Sequence, residues 1–540
     1  MSTPPQSRSG KEEKAHPQSR TYSEAAAHPQ SRSYSEAVAH PNILLITSDQ
    51  QHFSTLGVTN PRIQTPALDR LAREGVRFDR AYCNNPVCSP SRSSIITGQY
   101  PAWHGCWTIG VKLGEDVPTV GDLLHRHGYD TTLIGKAHFQ PLASRPEQTS
   151  LECQPTLRDL DFWREFHGPW YGFQHVEAAR NHADEAHAGQ HYGIWMEENG
   201  LPNWQDFFQS WPPDPNAARR EHAWDLPEEY HYSVWTAERS IAAIERSAAA
   251  GKPFFLWSSF HDPHPPYLVS EPWASMYDPE EMQPGTLEPG ELDAMPPHFA
   301  KTQQRNPDFS AWQETPFGNH GFNSHLHEPA AMRKNMAVYY GMVSLMDREI
   351  GRILDKLDHL GIADNTLVVF STDHGHFLGQ HGLIAKGAFH YEDLIRLPFL
   401  VRWPGRVPAG AVNGSLQSLV DLAPTFLQAA GIDIPGEMQG TDQLETWTGA
   451  AGEARDHVLV ENRHQPTALH LRTLVDQRYK LTVYRGHAYG ELFDLQEDPE
   501  ERCNRWDDPA FAAIKLTLLQ RFVQAEMERE PTRFERIAGA

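Results

Sequence analysis

The sequence predicts an α/β fold, with a large and mostly parallel β-sheet covered by helices and a smaller C-terminal α+β domain that contains an antiparallel sheet. Two patterns lead to this prediction. Up to Gly440, continuous apolar runs of buried-strand type alternate with segments of helical period. Beyond Gly440, short strand candidates follow one another through turns and end in a single helix. Strands separated by helices form parallel sheets, whereas strands joined by turns pair antiparallel.

The first elements of the predicted large domain are a strand and a helix. NILLIT at 42–47 is a continuous apolar run that ends at the polar SDQQH, and TPALDRLAREG at 65–75 has apolar residues at helical spacing before Gly75. Further apolar runs predict strands at 131–135, 253–260, 366–372 and 398–403. A long helix is predicted over 330–357, where one face carries Met342, Leu345, Met346, Ile350, Ile353, Leu354 and Leu357.

The C-terminal domain is predicted from the strand candidates VLVEN, HLRTLV, YKLTVY and GELFDL and from a final helix over about 508–528. We therefore expect one domain over 42–440 and a smaller one over 441–540. Residues 1–41 contain a duplicated polar tract, AHPQSRTYSEA followed by AHPQSRSYSEA. A polar tract without an apolar period cannot bury a face, so a disordered or arm-like tail is expected there.

The composition excludes several classes of protein. The 540 residues include 47 Lys and Arg against 70 Asp and Glu, which gives a formal net charge of −23. This charge disfavours nucleic acid and anionic membranes as partners, because its field repels phosphates. No apolar stretch approaches the roughly 18–20 residues that span a bilayer, and no secretory signal is visible, so a cytoplasmic location is expected. Five cysteines without a CxxC pair do not make a disulfide framework, and their odd number leaves at least one thiol free.

Acidic and histidine residues follow three of the predicted strands. NILLIT leads to Asp49–Gln50, TLVVFST leads to Asp373–His374, and PFFLWSSF leads to His261, Asp262 and His264. One such group alone would be an ordinary strand-end turn. Three groups on one edge of a sheet favour a site for a divalent cation, since ligands gather at the carboxyl ends of parallel strands. Carboxylates suit Ca²⁺ or Mg²⁺, and the histidines admit Mn²⁺.

Cys88 is the candidate reactive thiol. It stands in NNPVCSPSRSSIITGQYPAWHG at 84–105, where it precedes Ser-Pro-Ser-Arg and an apolar run that ends in a glycine. This pattern places Cys88 at the start of a helix, where backbone N–H groups and the nearby Arg92 favour a negative charge. The alternative is a buried cysteine that only packs, and Pro90 and Arg92 disfavour it.

These motifs resemble those of the type I, formylglycine-dependent sulfatases of the alkaline phosphatase superfamily. The segment Cys88–Arg92 resembles the family's C-x-P-x-R signature and continues through Thr97–Gly98 to His104–Gly105. The resemblance also covers Asp49–Gln50, Gly135–His138, Pro263–Pro266, Asp373–Gly375, Lys386 and the tail GELFDLQEDPEERCN at 490–504. Such an ordered set is more specific than the C-x-P-S-R element alone. It implies an alkaline-phosphatase-like sandwich, with the catalytic domain over 42–440.

The resemblance also implies a role for each matching residue. In that family a maturation enzyme oxidises the signature cysteine, here Cys88, to formylglycine, whose hydrated form attacks sulfur. The implied catalytic residues are Cys88, Arg92, His138 and His264. The implied substrate-binding residues are Lys136, Lys386 and His264. The implied metal ligands are Asp49, Gln50, Cys88, Asp373 and His374, and they would hold one divalent ion, with Ca²⁺ expected and Mn²⁺ as the alternative.

The implied activity is hydrolysis of a small anionic sulfate monoester, of aryl, alkyl or sugar type, to an alcohol and sulfate. The pairs Asp49–Gln50 and Asp373–His374 stand where many members have Asp-Asp and Asp-Asn, and they resemble the choline-sulfatase and phosphonate-monoester-hydrolase branches. A phosphonate monoester or phosphodiester hydrolase on the same residues is therefore an alternative. A further alternative is a non-catalytic anion- or metal-binding relative with an unmodified Cys88. A homo-oligomer is left open.

Two other stretches and the single residue His376 have simpler interpretations. The histidines of NHADEAHAGQHYG at 181–193 are interpreted as surface or pocket-rim residues in preference to a second metal site, because thirty histidines make such clusters common. His376 is interpreted as a neighbour of His374 without a role of its own. The aromatic stretch FWREFHGPWYGF at 162–173 is expected either to pack in the core or to form a wall of the substrate pocket.

Overall fold

The computed structural model describes residues 40–180, 188–208, 222–313, 318, 320–465, 468–530 and 537–539. The tail predicted over 1–41 lies outside these residues except for its last two positions. Among the described residues, no helix is long and apolar enough to cross a membrane. All five cysteines are described, and none of them forms a disulfide.

The strands follow in chain order, and the list gives their bounds. They are β1 Asn42–Ser48, β2 Val76–Phe78, β3 Ala81–Tyr82, β4 Asp130–Gly135, β5 His175–Ala178, β6 His222–Ala223, β7 Phe254–Ser259, β8 Leu268–Val269, β9 Thr366–Thr372, β10 Phe377–Leu378, β11 Ile384–Ala385, β12 Arg396–Leu397, β13 Leu400–Arg402, β14 Ala411–Asn413, β15 Gln417–Ser418, β16 His457–Gln465, β17 Leu469–Asp476, β18 Tyr479–Tyr484 and β19 Gly490–Asp494.

The α-helices are given in the same way. They are α1 Pro66–Glu74, α2 Cys88–Thr97, α3 Pro101–His104, α4 Val120–Arg126, α5 Leu160–Glu165, α6 Gln190–Glu198, α7 Tyr232–Ala249, α8 Pro297–Thr302, α9 Pro329–His359, α10 Glu392–Ile395, α11 Leu422–Ala429, α12 Leu444–Thr448 and α13 Ala512–Glu528.

The large sheet has eight strands in the order β14-β2-β13-β9-β1-β7-β4-β5. The five strands β9, β1, β7, β4 and β5 are parallel to one another. Strand β13 is antiparallel to both β9 and β2. The predicted fold class, a large and mostly parallel sheet with a smaller antiparallel one, is confirmed.

Strand β1 shows why its sequence is apolar without interruption. Successive side chains of a strand point to opposite faces of the sheet. Ile43 and Leu45 pack in the core on the side of α2, α4 and α11, whereas Leu44 and Ile46 pack on the side of α1, α7 and α9. All seven residues of the strand are buried because both faces are covered by helices.

The long helix α9 also fixes the start of α1. The carboxylate of Asp347, buried in α9, accepts hydrogen bonds from the backbone N–H groups of Ala67 and Leu68, at 2.9 and 2.8 Å. These are the first residues of α1 after Pro66, where backbone N–H groups have no partner within the helix. Burial raises the pKa of Asp347 to about 7, although these hydrogen bonds act to lower it.

The C-terminal sheet has the order β16-β17-β18-β19, and all its pairs are antiparallel. Helix α13 covers one face through Leu518, Phe522 and Ala525. The sheet meets the large domain where the backbone N–H of Glu461 donates to the carbonyl of Asn84, at 2.8 Å. Asn84 lies four residues before Cys88, so β16 supports the loop that leads into α2. The predicted division near residue 440 falls shortly before α12 and stays a prediction.

The aromatic stretch at 162–173 belongs to the core. Trp163, Trp170, Tyr171 and Phe173 are all buried and pack in the same core cluster as the large sheet. Of the two interpretations of this stretch, the contacts of these four residues favour packing. Residues 181–187 of the histidine-rich stretch lie outside the described part of the chain. His191 is buried, and its ring nitrogens bond the backbone of Ala178 and Phe166.

Candidate active site

The carboxyl ends of four neighbouring parallel strands bring the predicted residues together. Ser48 of β1 is in register with Thr372 of β9, so Asp49 and Asp373 follow adjacent strand ends. The Asp373 carboxylate accepts the backbone N–H of Gln50 at 3.0 Å. On the other side of β1, the Asp49 N–H donates to the carbonyl of Asp262, which follows β7, at 3.0 Å. The three groups of acidic residues that follow β1, β7 and β9 therefore lie side by side.

Cys88 is the first residue of α2 and is completely buried. Its Sγ lies 3.2 Å from His374 Nε2 and 3.7 Å from Asp49 Oδ1. Lys386 Nζ donates to the same sulfur at 3.1 Å. Burial and the Asp49 carboxylate act to raise the pKa of the thiol, but the ammonium groups of Lys136 and Lys386 outweigh them, and the pKa lies below its usual value. The site thus favours an anion at position 88.

Arg92 lies one turn further along α2 and is also completely buried. Its Nε donates to Asp373 Oδ2 at 2.9 Å, and its Nη2 lies 3.5 Å from Asp49 Oδ2. Its Nη1 donates to the carbonyl of Lys136 at 3.0 Å and to Ser259 Oγ at 2.7 Å. Burial acts to lower the pKa of Arg92, and the two carboxylates raise it above its usual value. Arg92 therefore holds the ends of β1, β4, β7 and β9 in one arrangement.

Two lysines add positive charge to the cluster. Lys136 follows β4 and forms a buried ion pair with Asp49. Burial lowers its pKa, although the Asp49 carboxylate acts to raise it. Lys386 Nζ lies 3.2 Å from His264 Nε2 and 3.4 Å from His374 Nε2, in addition to its contact with Cys88. With Arg92, the cluster has three cationic side chains next to the two carboxylates of Asp49 and Asp373. The excess of positive charge allows the site to accept an anionic substrate.

The histidine tautomers follow from the partners of Nδ1. His374 Nδ1 lies 2.9 Å from the carbonyl of Gly375, and His264 Nδ1 lies 2.6 Å from the carbonyl of Pro265. A carbonyl oxygen can only accept, so Nδ1 carries the proton in both rings. Nε2 is then the nitrogen with a lone pair, directed toward Cys88 in His374 and toward Lys386 in His264. His374 therefore presents the nitrogen that a metal ion requires.

His138 lies on the loop after β4, two residues beyond Lys136, and has a left-handed backbone with φ 61°. Its backbone N–H donates to Glu152 Oε1 at 2.9 Å, and that of Gln140 donates to Glu152 Oε2 at 2.6 Å. Arg180 pairs with Glu152 at 3.2 Å and donates to the carbonyl of Gln140 at 2.9 Å. Both charged residues are buried. No sequence pattern predicted Glu152 or Arg180, whose contacts in this loop are with each other and with the backbone.

The residues at the strand ends fit a divalent cation. Ligand atoms of Asp49, Cys88, Asp373 and His374 all lie within 4.8 Å of one another, and all four residues are buried. Within the described part of the chain, Gln50 Oε1 is buried and accepts no hydrogen bond. Gln50 follows Asp49 directly, and its backbone N–H bonds the Asp373 carboxylate. A buried carbonyl oxygen without a hydrogen bond is a suitable ligand for a hard cation. The four clustered residues and Gln50 are the five metal ligands predicted from the sequence. Their role as ligands stays a prediction.

Family comparisons agree with the site. The family model described as Sulfatase matches residues 41–432, and the model described as N-sulphoglucosamine sulphohydrolase, C-terminal, matches residues 379–528. The chain is 28% identical over 508 residues to the multifunctional alkaline phosphatase superfamily protein PehA of Trinickia caryophylli, across 88% of this chain and 92% of the relative. It is 27% identical over 494 residues to an arylsulfatase of Clostridium perfringens (strain 13 / Type A), across 90% and 94% of the two chains.

A solved structure shares the fold. The crystal structure of the phosphonate monoester hydrolase of Agrobacterium radiobacter aligns with a TM-score of 0.73 at 24% identity, and the alignment covers 92% of this chain and 98% of that one. It confirms the alkaline-phosphatase-like architecture that the motifs implied. The Sulfatase model matches well over half of the chain and includes every residue of the buried cluster around Cys88. The chain therefore belongs to the sulfatase family of the alkaline phosphatase superfamily and is a sulfuric ester hydrolase.

Proposed function

We propose that this chain hydrolyses sulfate monoesters of small alcohols or phenols at the residues around Cys88. The position of Cys88 carries the proposal. It begins a buried helix, its sulfur contacts Lys386 and His374, and it lies in the group that fits a divalent cation. A sulfate ester repels nucleophiles through its anionic oxygens, so its hydrolysis requires a strong nucleophile and neutralising charges together.

Two groups would complete this site. Asp49, Gln50, Asp373 and His374 would hold a divalent cation, Ca²⁺ or Mn²⁺, which supplies a Lewis acid that polarises the sulfuryl group and lowers the pKa of the attacking oxygen. Formylglycine, made from Cys88 by a maturation enzyme, supplies in its hydrated form a hydroxyl as nucleophile. The low pKa of the Cys88 thiol supports an anionic atom at this position.

The lysines would bind the sulfuryl oxygens. Lys136 is held by Asp49, and Lys386 donates to Cys88 Sγ. Ammonium groups fixed next to the attacked sulfur would stabilise the negative charge that develops on its oxygens. Arg92 acts differently, because Nε and Nη1 are used by Asp373, Ser259 and the Lys136 carbonyl. Its main contribution is to keep the carboxylates in position.

Protons would move through Lys386, His264 and His138. Since His264 Nδ1 donates to Pro265, its Nε2 accepts a hydrogen bond from Lys386 Nζ. Lys386 is then the proton donor nearest to position 88, and we assign to it the protonation of the leaving alcohol, with His264 sharing that proton. His138, whose backbone is held by Glu152, is assigned the role of accepting the proton that releases sulfate.

Phosphonate monoester or phosphodiester hydrolysis is the second candidate. It is supported by the ligand set Asp49, Gln50, Asp373 and His374, in which an amide and an imidazole accompany only two carboxylates. A phosphonate monoester also presents a tetrahedral anion of similar size, so the same cations would bind it. The two functions differ in the preferred reacting group and not in the residues.

The test is a comparison of kcat/KM on an aryl sulfate and an aryl phosphonate monoester. The protein is co-expressed with a formylglycine-generating enzyme, and peptide mass spectrometry verifies conversion of Cys88. We expect the sulfate to be the better substrate. A dominant preference for the phosphonate would overturn the proposal in favour of the second candidate.

Cys88→Ala and Cys106→Ala form a matched pair for this test. Cys106 is also buried, but its sulfur contacts the carbonyl of Val111. Cys88→Ala should abolish turnover with the fold intact, whereas Cys106→Ala should keep the rate of the parent. Retained activity in folded Cys88→Ala protein would refute the role of this position.

A further inference from the structure

Gln50 has an unusual backbone for a residue that follows a strand. Its φ is 62°, in the left-handed region that residues other than glycine rarely adopt. The hydroxyl of Tyr339, in α9, donates to the Gln50 carbonyl at 2.9 Å and accepts the backbone N–H of His52 at 2.8 Å. Asp373 accepts the Gln50 N–H. Three hydrogen bonds, two to Tyr339 and one to Asp373, thus fix the backbone around Gln50. This is expected of a position where local strain serves a site.

A chain of hydrogen bonds also fixes the Gln50 side chain. Its Nε2 lies 2.7 Å from His376 Nδ1, and His376 Nε2 lies 2.8 Å from the hydroxyl of Tyr267. An amide nitrogen can only donate, so His376 Nδ1 accepts and Nε2 of the neutral ring carries the proton. That proton is donated to Tyr267. Each hydrogen bond in this chain therefore has a defined donor and acceptor, and the amide nitrogen of Gln50 is used by His376.

This orientation leaves the oxygen of the amide for another partner. Gln50 is 1% exposed, and within the described residues its Oε1 accepts no hydrogen bond. A buried oxygen without a partner costs free energy unless a ligand satisfies it. We infer that His376 and Tyr267 are positioning residues that hold the Gln50 amide with Oε1 toward the divalent cation. This inference rests on the cation site of the proposed function.

The ring of His376 is itself fixed by packing. It is completely buried, stacks on Tyr339 with centroids 4.9 Å apart and planes at 9°, and meets Tyr267 edge to face at 5.9 Å. This packing fixes the plane of the ring, and the hydrogen bonds to Gln50 and Tyr267 determine which nitrogen faces Gln50. Mutation of partners that orient a metal ligand in this way lowers metal affinity or activity by roughly 10–100-fold.

The test is the affinity of Mn²⁺ and of Ca²⁺, each measured alone by titration calorimetry on the purified full chain. His376→Phe keeps an aromatic ring against Tyr339 but removes the acceptor for Gln50. We expect it to weaken binding by about tenfold or more. His376→Asn keeps an acceptor near the place of Nδ1 and should bind the ion more tightly than His376→Phe. Tyr267→Phe, which removes the hydroxyl at the second hydrogen bond, should have the smallest effect.

His191→Phe is the control for loss of a buried imidazole. His191 bonds only backbone groups in the contacts described above, so its replacement should lower the melting temperature and leave the ion affinity unchanged. At the same ion concentration, His376→Phe should instead show a smaller rise in melting temperature on ion binding than the parent. Equal affinities in His376→Phe and the parent would overturn the inference. So would a His376→Asn affinity as low as that of His376→Phe, or a parent that binds neither ion. A parent that binds the ion but hydrolyses no ester would contradict the proposed function alone.

Discussion

Two lysines of this protein are completely buried beside carboxylates, and they lie in very different places. Lys136 follows the end of β4 in the large parallel sheet and pairs with Asp49. Lys480 lies within β18 of the C-terminal sheet, where it pairs with Glu501 and lies 3.7 Å from Glu392. The chemistry of the two pairs is the same, but their surroundings are not.

The charges around the two lysines show under which condition a buried charge indicates a functional site. Around Lys480, two carboxylates face one ammonium group, and the ring of Phe493 covers it with a centroid 5.7 Å away. Around Lys136, the strand ends converge, and three cations face two carboxylates beside Cys88. The first group surrounds a single cation with two carboxylates, whereas the second has positive charge to offer to an anionic ligand. Burial alone therefore does not identify a catalytic lysine.

Lys480→Met tests the structural side of this comparison and should have the largest effect. It leaves Glu501 and Glu392 buried without their cation, which costs about 3–5 kcal/mol of the free energy of unfolding. Denaturant unfolding measures this loss, and kcat of the protein that remains folded should be unchanged. Adding Glu501→Leu removes the unpaired carboxylate and should restore much of the stability. A fall in kcat without a loss of stability would show that Lys480 belongs to the site.

Lys136→Met should instead lower kcat while the protein still folds. Removal of a fixed donor to the developing charge lowers kcat by roughly 10²–10³-fold. The measurement is steady-state kinetics on an aryl sulfate, with circular dichroism to verify folding. If Lys136→Met retained the kcat of the parent, the pair with Asp49 would be structural and the contrast with Lys480 would fail.

Glu152→Gln sharpens the comparison, because Glu152 is a buried charge that holds a catalytic loop without touching the cluster. The amide keeps one acceptor for the backbone of His138 and Gln140 but loses the pair with Arg180. We expect kcat to fall by about tenfold with little change in KM, because a displaced proton acceptor slows the chemical step. Glu152→Ala should be slower still. An effect on KM alone would assign Glu152 to substrate binding.

Asp347→Asn concerns a buried carboxyl that accepts hydrogen bonds from the backbone of α1, and it should have the smallest effect. The pKa of Asp347 is raised by burial from 3.8 to about 7, so between these values the folded state keeps a proton that the unfolded state has lost. Stability therefore falls as pH rises from about 4 to about 7, with a slope of at most about 1.4 kcal/mol per pH unit from this group. The amide does not titrate, and it keeps one acceptor oxygen for the N–H groups of α1.

Denaturant unfolding at pH 5 and pH 7 measures the effect of Asp347→Asn. The stability of the variant should change less between these two values than that of the parent. An identical change in both proteins would show that Asp347 is ionised in the folded state throughout this range.

Local patterns in the sequence were sufficient for most of the architecture. The run NILLIT has the length and continuity of a strand buried on both faces, and β1 spans Asn42–Ser48. The C-terminal strand candidates and the long helix were recognised for the same reason, since alternation and helical period are properties of neighbouring residues. Glu152 had no such signal, because its partners are backbone groups of a loop and Arg180, which lies 28 positions further along the chain.

The sequence by itself determined which residues could form a site: strand ends that carry acids, a cysteine that begins a helix, and the C-x-P-S-R element. The tertiary structure decided how they are paired. Lys386 reaches Cys88 across 298 positions of the chain, and His376 holds Gln50 across 326. These contacts depend on the order β9-β1-β7-β4, which no local pattern encodes. The physical reason is that hydrophobic period specifies which face of an element is buried, whereas the neighbour of each strand is selected by the packing of the whole sheet.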